Sequence, residues 1–168
     1  MPRLRLNAFV QVSKEVSVAA EIKFLQALPE DAEELSILES NNMKHPWNKE
    51  MILEVLKNPR GGAIKAVDND GIIVGYVNYT YIFEELEIGN LCVDTTYRRQ
   101  GIAQKLLEEL FTFSSANGVE KVFLEVSSQN EPAHKLYIKC GFEEINVRKN
   151  YYGSNDHAII MCFEKRKL

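Results

Sequence analysis

Asp94-Thr95-Thr96-Tyr97-Arg98-Arg99-Gln100-Gly101-Ile102-Ala103-Gln104 is the stretch on which the reading of this chain turns. Before it, Leu86 to Val93 reads as a strand. After it, Ile102, Leu106, Leu107, Leu110 and Phe113 recur at helical spacing, and Gly118 closes the run. The segment is therefore a strand running into a helix N-terminus. Gly101 and Ala103 are small enough to let the backbone approach a ligand, with several N–H groups presented at the positive end of the helix dipole. Arg98 and Arg99 add positive charge. A turn of this kind suits a pyrophosphate, although a glycine at a helix start also serves in plain structural turns.

Working outward, residues 21–28 alternate like a strand, with Ile22, Phe24 and Gln26 on one side. Pro29, Glu30, Asp31, Glu33 and Glu34 supply a helix start, since proline fits the first turn and acids favour the positive dipole end. A second helix follows Pro46-Trp47, with Asn48 as N-cap and Met51, Ile52, Val55 and Leu56 as its apolar face. Residues 63–68 and 72–81 form a hairpin around Asn69-Asp70-Gly71. Beyond the central helix come a strand over 121–126 and a short helix from Asn130 carrying Ala133, Leu136, Tyr137 and Cys140. Two last strands lie near 142–148 and 157–164. The final one is continuously apolar, which predicts burial on both faces. The order β-α-α-β-β-β-α-β-α-β-β describes an α+β layered domain, a mixed sheet with helices on its faces.

The chain has 168 residues, enough for one domain with an ordinary core and short for two. The reading is an extension over 1–20 followed by one domain over 21–168. A net charge of −4 argues against a general nucleic-acid binder. Three cysteines (Cys92, Cys140, Cys162) are too few and scattered for a disulfide framework, and a reducing cytoplasm is the expected compartment. His45, His134 and His157 show no ligand spacing with them, so no metal site is expected. No apolar run approaches bilayer-spanning length, and no membrane association is expected.

The turn motif resembles the signature of the GNAT acetyltransferase superfamily, Arg/Gln-x-x-Gly-x-Gly/Ala, at Arg98, Gly101 and Ala103. A second signature of that family is matched by Asn130 followed by Leu136-Tyr137-Ile138-Lys139-Cys140-Gly141-Phe142. The likeness spans about residues 21–164. Within the superfamily the chain is most similar to the RimI-type N-terminal acetyltransferases, named for acetylating the N-terminal alanine of a ribosomal protein. Four stretches carry that likeness: Pro46-Trp47, Glu85 to Asp94 with Asn90, Phe123 to Val126, and Arg148 to Tyr152 before Asp156 to Met161.

The resemblance implies a GNAT fold: a mixed, mostly antiparallel twisted sheet with a splayed central strand pair and helices on both faces. It implies acetyl-CoA as cosubstrate, with the pantetheine arm adding to the open edge of strand 86–93 at Leu91, Cys92 and Val93. Arg99, Gln100, Gly101, Ile102, Ala103 and Gln104 are then expected to hold the pyrophosphate, and Asn130 to bond the pantetheine or phosphate end. Asn130 also suits a plain helix N-cap, and the two roles are compatible. The acceptor implied is a peptide or protein N-terminus, attacked directly through a tetrahedral intermediate whose oxyanion a backbone N–H near Val93 holds. A monomer or weak dimer is expected.

Glu125 is the candidate base. Val122, Leu124 and Val126 take one face of its strand and leave Phe123 and Glu125 on the other, and an acid on an interior strand is costly unless paired or functional. Tyr137 is the candidate proton donor to the departing thiolate, a phenol of pKa about 10 facing a thiol of about 8.5. The bland alternatives are an ion-paired Glu125 and a Tyr137 that only packs. By the same resemblance Trp47, Glu85, Tyr151 and Tyr152 flank the acceptor. A lysine, polyamine or other small-molecule amine remains an alternative acceptor. A non-catalytic acyl-CoA-binding module is the alternative from another class.

Overall fold

Seven strands close into one sheet of order β1-β2-β3-β4-β5-β7-β6 in the computed structural model, which describes residues 21–165. In chain order these are β1 (Lys23–Gln26), α1 (Ala32–Asn42), α2 (Lys49–Lys57), β2 (Gly61–Val67), β3 (Ile73–Ile82) and β4 (Glu85–Val93). They continue with α3 (Ile102–Ala116), β5 (Lys121–Ser127), α4 (Glu131–Lys139), β6 (Glu143–Gly153) and β7 (Asp156–Glu164). The expected extension over residues 1–20 lies outside the described residues.

Neighbouring strands are antiparallel with one exception. β4 and β5 run parallel and pair only at Glu85–Lys121, Leu86–Val122 and Glu87–Phe123. From Ile88 onward they have parted, and the splayed pair expected from the family likeness is present.

The sheet's two faces are covered differently. α3 lies against β2, β3 and β4 on one face, where Leu106, Leu107 and Leu110 are fully buried. Each such side chain contributes about 1.5–3 kcal/mol of burial. α4 and the Phe111–Phe163 ring stack, at 4.4 Å between centroids, extend this layer toward β5 and β7. On the other face α1 and α2 cover β2, β3 and β4 alone, around Leu35, Ile52, Tyr76 and Cys92.

That asymmetry corrects the reading of the last strand. Ile159, Met161 and Phe163 pack into the α3 layer, whereas on the other side, which no helix covers over β5 and β7, Ala158 is buried but Ile160 and Cys162 are only half-buried. In α2, Met51 is exposed at 43% and Leu53 packs in its stead, since the helix turns its Ile52–Leu53–Leu56 side to α1 and the sheet. Asn150-Tyr151-Tyr152, beyond the strand end expected near 148, is part of an eleven-residue edge strand, β6.

Candidate functional site

The gap between β4 and β5 begins at a bulge. Val77 pairs with Leu91 and Tyr79 with Ile88, so Gly89 and Asn90 together oppose Asn78. The Asn90 backbone N–H donates to Asn78 Oδ1 at 3.0 Å. A Cβ on Gly89 would stand 2.2 Å from Asn78 Oδ1 and 2.7 Å from the Trp47 ring, so only glycine fits this crossing. Trp47 thus lies against the bulge, brought there by the loop between α1 and α2. Past it, Leu91, Cys92 and Val93 keep β3 on one side and have no β5 partner on the other. Unpaired backbone at a strand edge takes an extended ligand by strand addition.

Cys92 offers its backbone here and not its sulfur. Its side chain is 2% exposed in the α1 layer, and burial, followed by Glu39, pushes the thiol up to about 12. A buried, protonated thiol packed in the α1 layer argues against an acetyl-cysteine route.

The turn that follows is built from left-handed residues. Arg99 has φ +61° and Gly101 φ +82°, with Gly101 as N-cap of α3. The first helical bond is Lys105 N–H to Gly101 O at 3.0 Å, so the N–H groups of the first turn point out of the helix end. A Cβ at Gly101 would meet nothing within 4 Å, which marks an open cradle. An anionic diphosphate fits this donor set. Arg98 departs from the charge role read from the sequence: its guanidinium donates to Val93 O and Asn42 O, both at 3.1 Å, and ties α1 to the end of β4. Arg99 and Gln100 are exposed, Ile102 is buried beneath, and Ala103 lies half-buried. Gln104 accepts from Lys139 Nζ at 2.9 Å and so joins α3 to α4. Asn130 caps α4 by accepting from Ala133 N–H at 3.3 Å, leaving its amide nitrogen for a second role.

Gly101→Ala tests the cradle. The methyl adds a left-handed penalty of about 1–2 kcal/mol and stands in the open face. The expected result is a Tm lowered by a few degrees and an acetyl-CoA KM raised about tenfold, with peptide KM unchanged, as read by melting and initial rates.

Glu125 and Tyr137 lie on opposite faces of the sheet. Val122, Leu124 and Val126 are buried in the α3 layer, and Glu125 projects to the uncovered side with Phe123. Arg148 Nη1 lies 3.0 Å from Glu125 Oε1. Tyr137 comes from α4, 7% exposed and edge-on to Phe142 at 5.7 Å. Burial, then Cys140 and Tyr152, raise its phenol above the ordinary range, so it holds its proton at neutral pH. Burial first and Glu125 next raise the Tyr152 phenol, and Tyr152 in turn contributes to raising Tyr137.

Two contacts connect the walls of the open side. The His45 and Tyr152 rings stack at 5.8 Å, and Lys44 Nζ reaches Asp156 Oδ2 at 3.5 Å. Ser127, at the end of β5, donates to Asp156 and, with Lys44, holds that carboxyl below the usual range. Tyr151 is 57% exposed, beneath the Arg148 guanidinium. Tyr151 is thus linked to Glu125 through Arg148, Tyr152 is influenced by Glu125 directly, and Trp47 lies at the bulge where the gap begins.

Glu85 pairs with Lys121 where β4 and β5 are still joined, four residues before the level of Glu125, or about 13 Å along the strand. Glu85 lies at the joined end of the two strands, away from the level of Glu125. Glu39, by contrast, escaped the sequence reading. It is fully buried, and its spacing from Leu35 and Leu38 on one helix face was the available signal. Among the described residues, no group of three or more His, Cys, Asp or Glu side chains could hold a metal, and no helix is long and apolar enough to cross a membrane.

Residues 26–142 match the family described as Acetyltransferase (GNAT) family. The [ribosomal protein bS18]-alanine N-acetyltransferase of Haemophilus ducreyi is 37% identical over 124 residues, 70% of this chain and 82% of that protein. The crystal structure of the ribosomal-protein-S18-alanine N-acetyltransferase from Escherichia coli superposes with a TM-score of 0.81 at 25% identity, over 88% of this chain and 96% of that one. Arabidopsis thaliana NAA60, solved in complex with acetyl-CoA, shares the fold with a TM-score of 0.78 at 21% identity, over 86% and 98%.

Proposed function

The chain belongs to the acetyltransferase (GNAT) family, and on that premise we propose that it acetylates the N-terminal α-amine of a protein, with a ribosomal protein beginning in alanine as the acceptor class. What supports this reading is the parting of β4 from β5, with Glu125 on the uncovered side of β5 beside Arg148 and Tyr152, and Tyr137 buried in the α3 layer where Tyr152 also influences it. Acetyl-CoA supplies the acetyl group as a thioester. Leu91 to Val93 would bond its pantetheine arm, and Arg99 to Gln104 its diphosphate.

The residues then divide the proton work. Glu125 receives the proton of the attacking amine, directly or through one water, and Arg148 holds its carboxylate in place. Tyr137 gives its proton to the departing sulfur. A free α-amine has a reference pKa of about 7.7–8.0, so roughly a tenth or more is already neutral at pH 7. A lysine amine, near about 10.4, is neutral in less than about one part in a thousand. A carboxylate base fits the easier task. The cytoplasm, where ribosomal proteins are made, is the proposed compartment.

The test is coenzyme A release from acetyl-CoA with peptides beginning Ala, Ser and Met, against a blocked peptide whose only amine is an internal lysine. Turnover confined to the free N-termini, greatest for Ala, is the expected result. Turnover on lysine alone would replace the acceptor while leaving the cosubstrate site intact.

A further inference from the structure

Glu39 is 0% exposed near the end of α1, and among the described residues no lysine or arginine pairs with it. A carboxylate taken out of water is costly unless hydrogen bonds replace its hydration. Three donors do so. Asn90 Nδ2 reaches both oxygens at 3.0 Å, the Trp47 backbone N–H lies 2.5 Å from Oε2, and the Tyr76 hydroxyl donates to Oε1.

These partners form a closed ring about the β4 bulge. Tyr76 Oη accepts from Asn78 Nδ2 at 3.2 Å, Asn78 Oδ1 accepts from the Asn90 N–H at 3.0 Å, and the Asn90 amide returns to Glu39. The ring sits where β4 has just lost β5. An apolar residue at position 39 would fill the volume but leave Asn90 and the Trp47 N–H without an acceptor.

We propose that Glu39 is a positioning residue, which sets the Gly89–Asn90 bulge and Trp47 against the gap so that the acceptor amine meets the thioester in line. It acts through Asn90 and Trp47 and touches no substrate. The inference rests on the gap being the site of acetyl transfer, and its test has one readout independent of that reading. Trp47 is the sole tryptophan of the chain, so its fluorescence reports the loop that Glu39 holds.

The experiment compares Glu39→Gln and Asn90→Ala, singly and combined, in the full chain with far-UV circular dichroism matched to the parent. Gln keeps the volume but turns one acceptor oxygen into a donor, so it cannot serve all three partners. In Glu39→Gln, Trp47 emission is expected to shift to the red and its acrylamide quenching to rise at least twofold. Peptide kcat/KM is expected to fall at least tenfold in both single variants, with acetyl-CoA KM within twofold of the parent. The double variant should be no worse than the poorer single, as for two members of one network.

Unchanged Trp47 fluorescence in Glu39→Gln overturns the proposal. So does a loss that tracks acetyl-CoA KM, or two losses that simply add. A parent protein silent on every N-terminal peptide would sink the proposed acceptor, while the Trp47 signal would still decide the role of Glu39.

Discussion

Glu125→Gln is expected to lower kcat for N-terminal peptide acetylation by about 10²- to 10⁴-fold, with acetyl-CoA KM unchanged. The amide keeps the size of the side chain and one acceptor oxygen, and loses the ability to take a proton. Glu125 is half-buried on the side of β5 that no helix covers, so its neutral replacement leaves the α3 layer untouched. Its ion pair with Arg148 offers the competing account, in which the carboxylate is merely structural. Arg148→Met separates the two. If pairing were the whole role, both variants would lose Tm equally and neither would lose kcat. If Glu125 is the base, its variant loses kcat far beyond the arginine variant. Single-turnover rates at saturating acetyl-CoA give the comparison.

Tyr137→Phe is expected to reduce kcat by a comparable factor, about 10²-fold or more, with Tm nearly unchanged. The ring packs edge-on to Phe142 in the α3 layer, and phenylalanine preserves that contact. Only the hydroxyl is lost. Because burial and its neighbours raise the phenol above its ordinary range, the parent keeps its donor protonated as pH rises through the range where a free phenol would ionise. The parent's kcat should therefore show no alkaline fall near pH 10 from this group. A phenylalanine variant with full kcat would reduce Tyr137 to packing alone. The thiolate leaving group, near pKa 8.5 in a free thiol, would then draw its proton from water.

The local signals in the sequence were strong where they depended on neighbours along the chain. Gly101 followed by the Ile102–Leu106–Leu110 stripe marks the strand-to-helix turn, and Asn48 and Asn130 mark two helix starts. The structure has all three, with Gly101 at positive φ and each asparagine accepting from a backbone N–H. The period-two pattern around Glu125 likewise put it opposite Val122, Leu124 and Val126. The reading fell short where the outcome depended on distant chain. The apolar run of β7 reads as doubly buried, yet α1 and α2 stop short of that side of the sheet, and Ile160 and Cys162 are only half-buried there. Glu85 was placed by resemblance within its strand. Only the pairing of β4 with β5 shows that it occupies the joined end and not the open one.

What the sequence by itself determined was therefore the set of elements, the pyrophosphate-type turn and the family, because these are written in periods of two and 3.6 and in short motifs. Tertiary structure alone decided which polar groups lose water and which meet. Arg98 is tied to two carbonyls where the sequence offered only a positive charge. Glu39 is a fully buried carboxyl on the Leu35–Leu38 face of α1, a position the sequence offers but whose hydrogen-bond partners it does not. Its partners lie at positions 47, 76 and 90, and no pattern along the chain encodes a ring closed through three separate elements. Burial and hydrogen-bond closure belong to the packed whole, since each depends on groups that only folding brings within 3 Å or so.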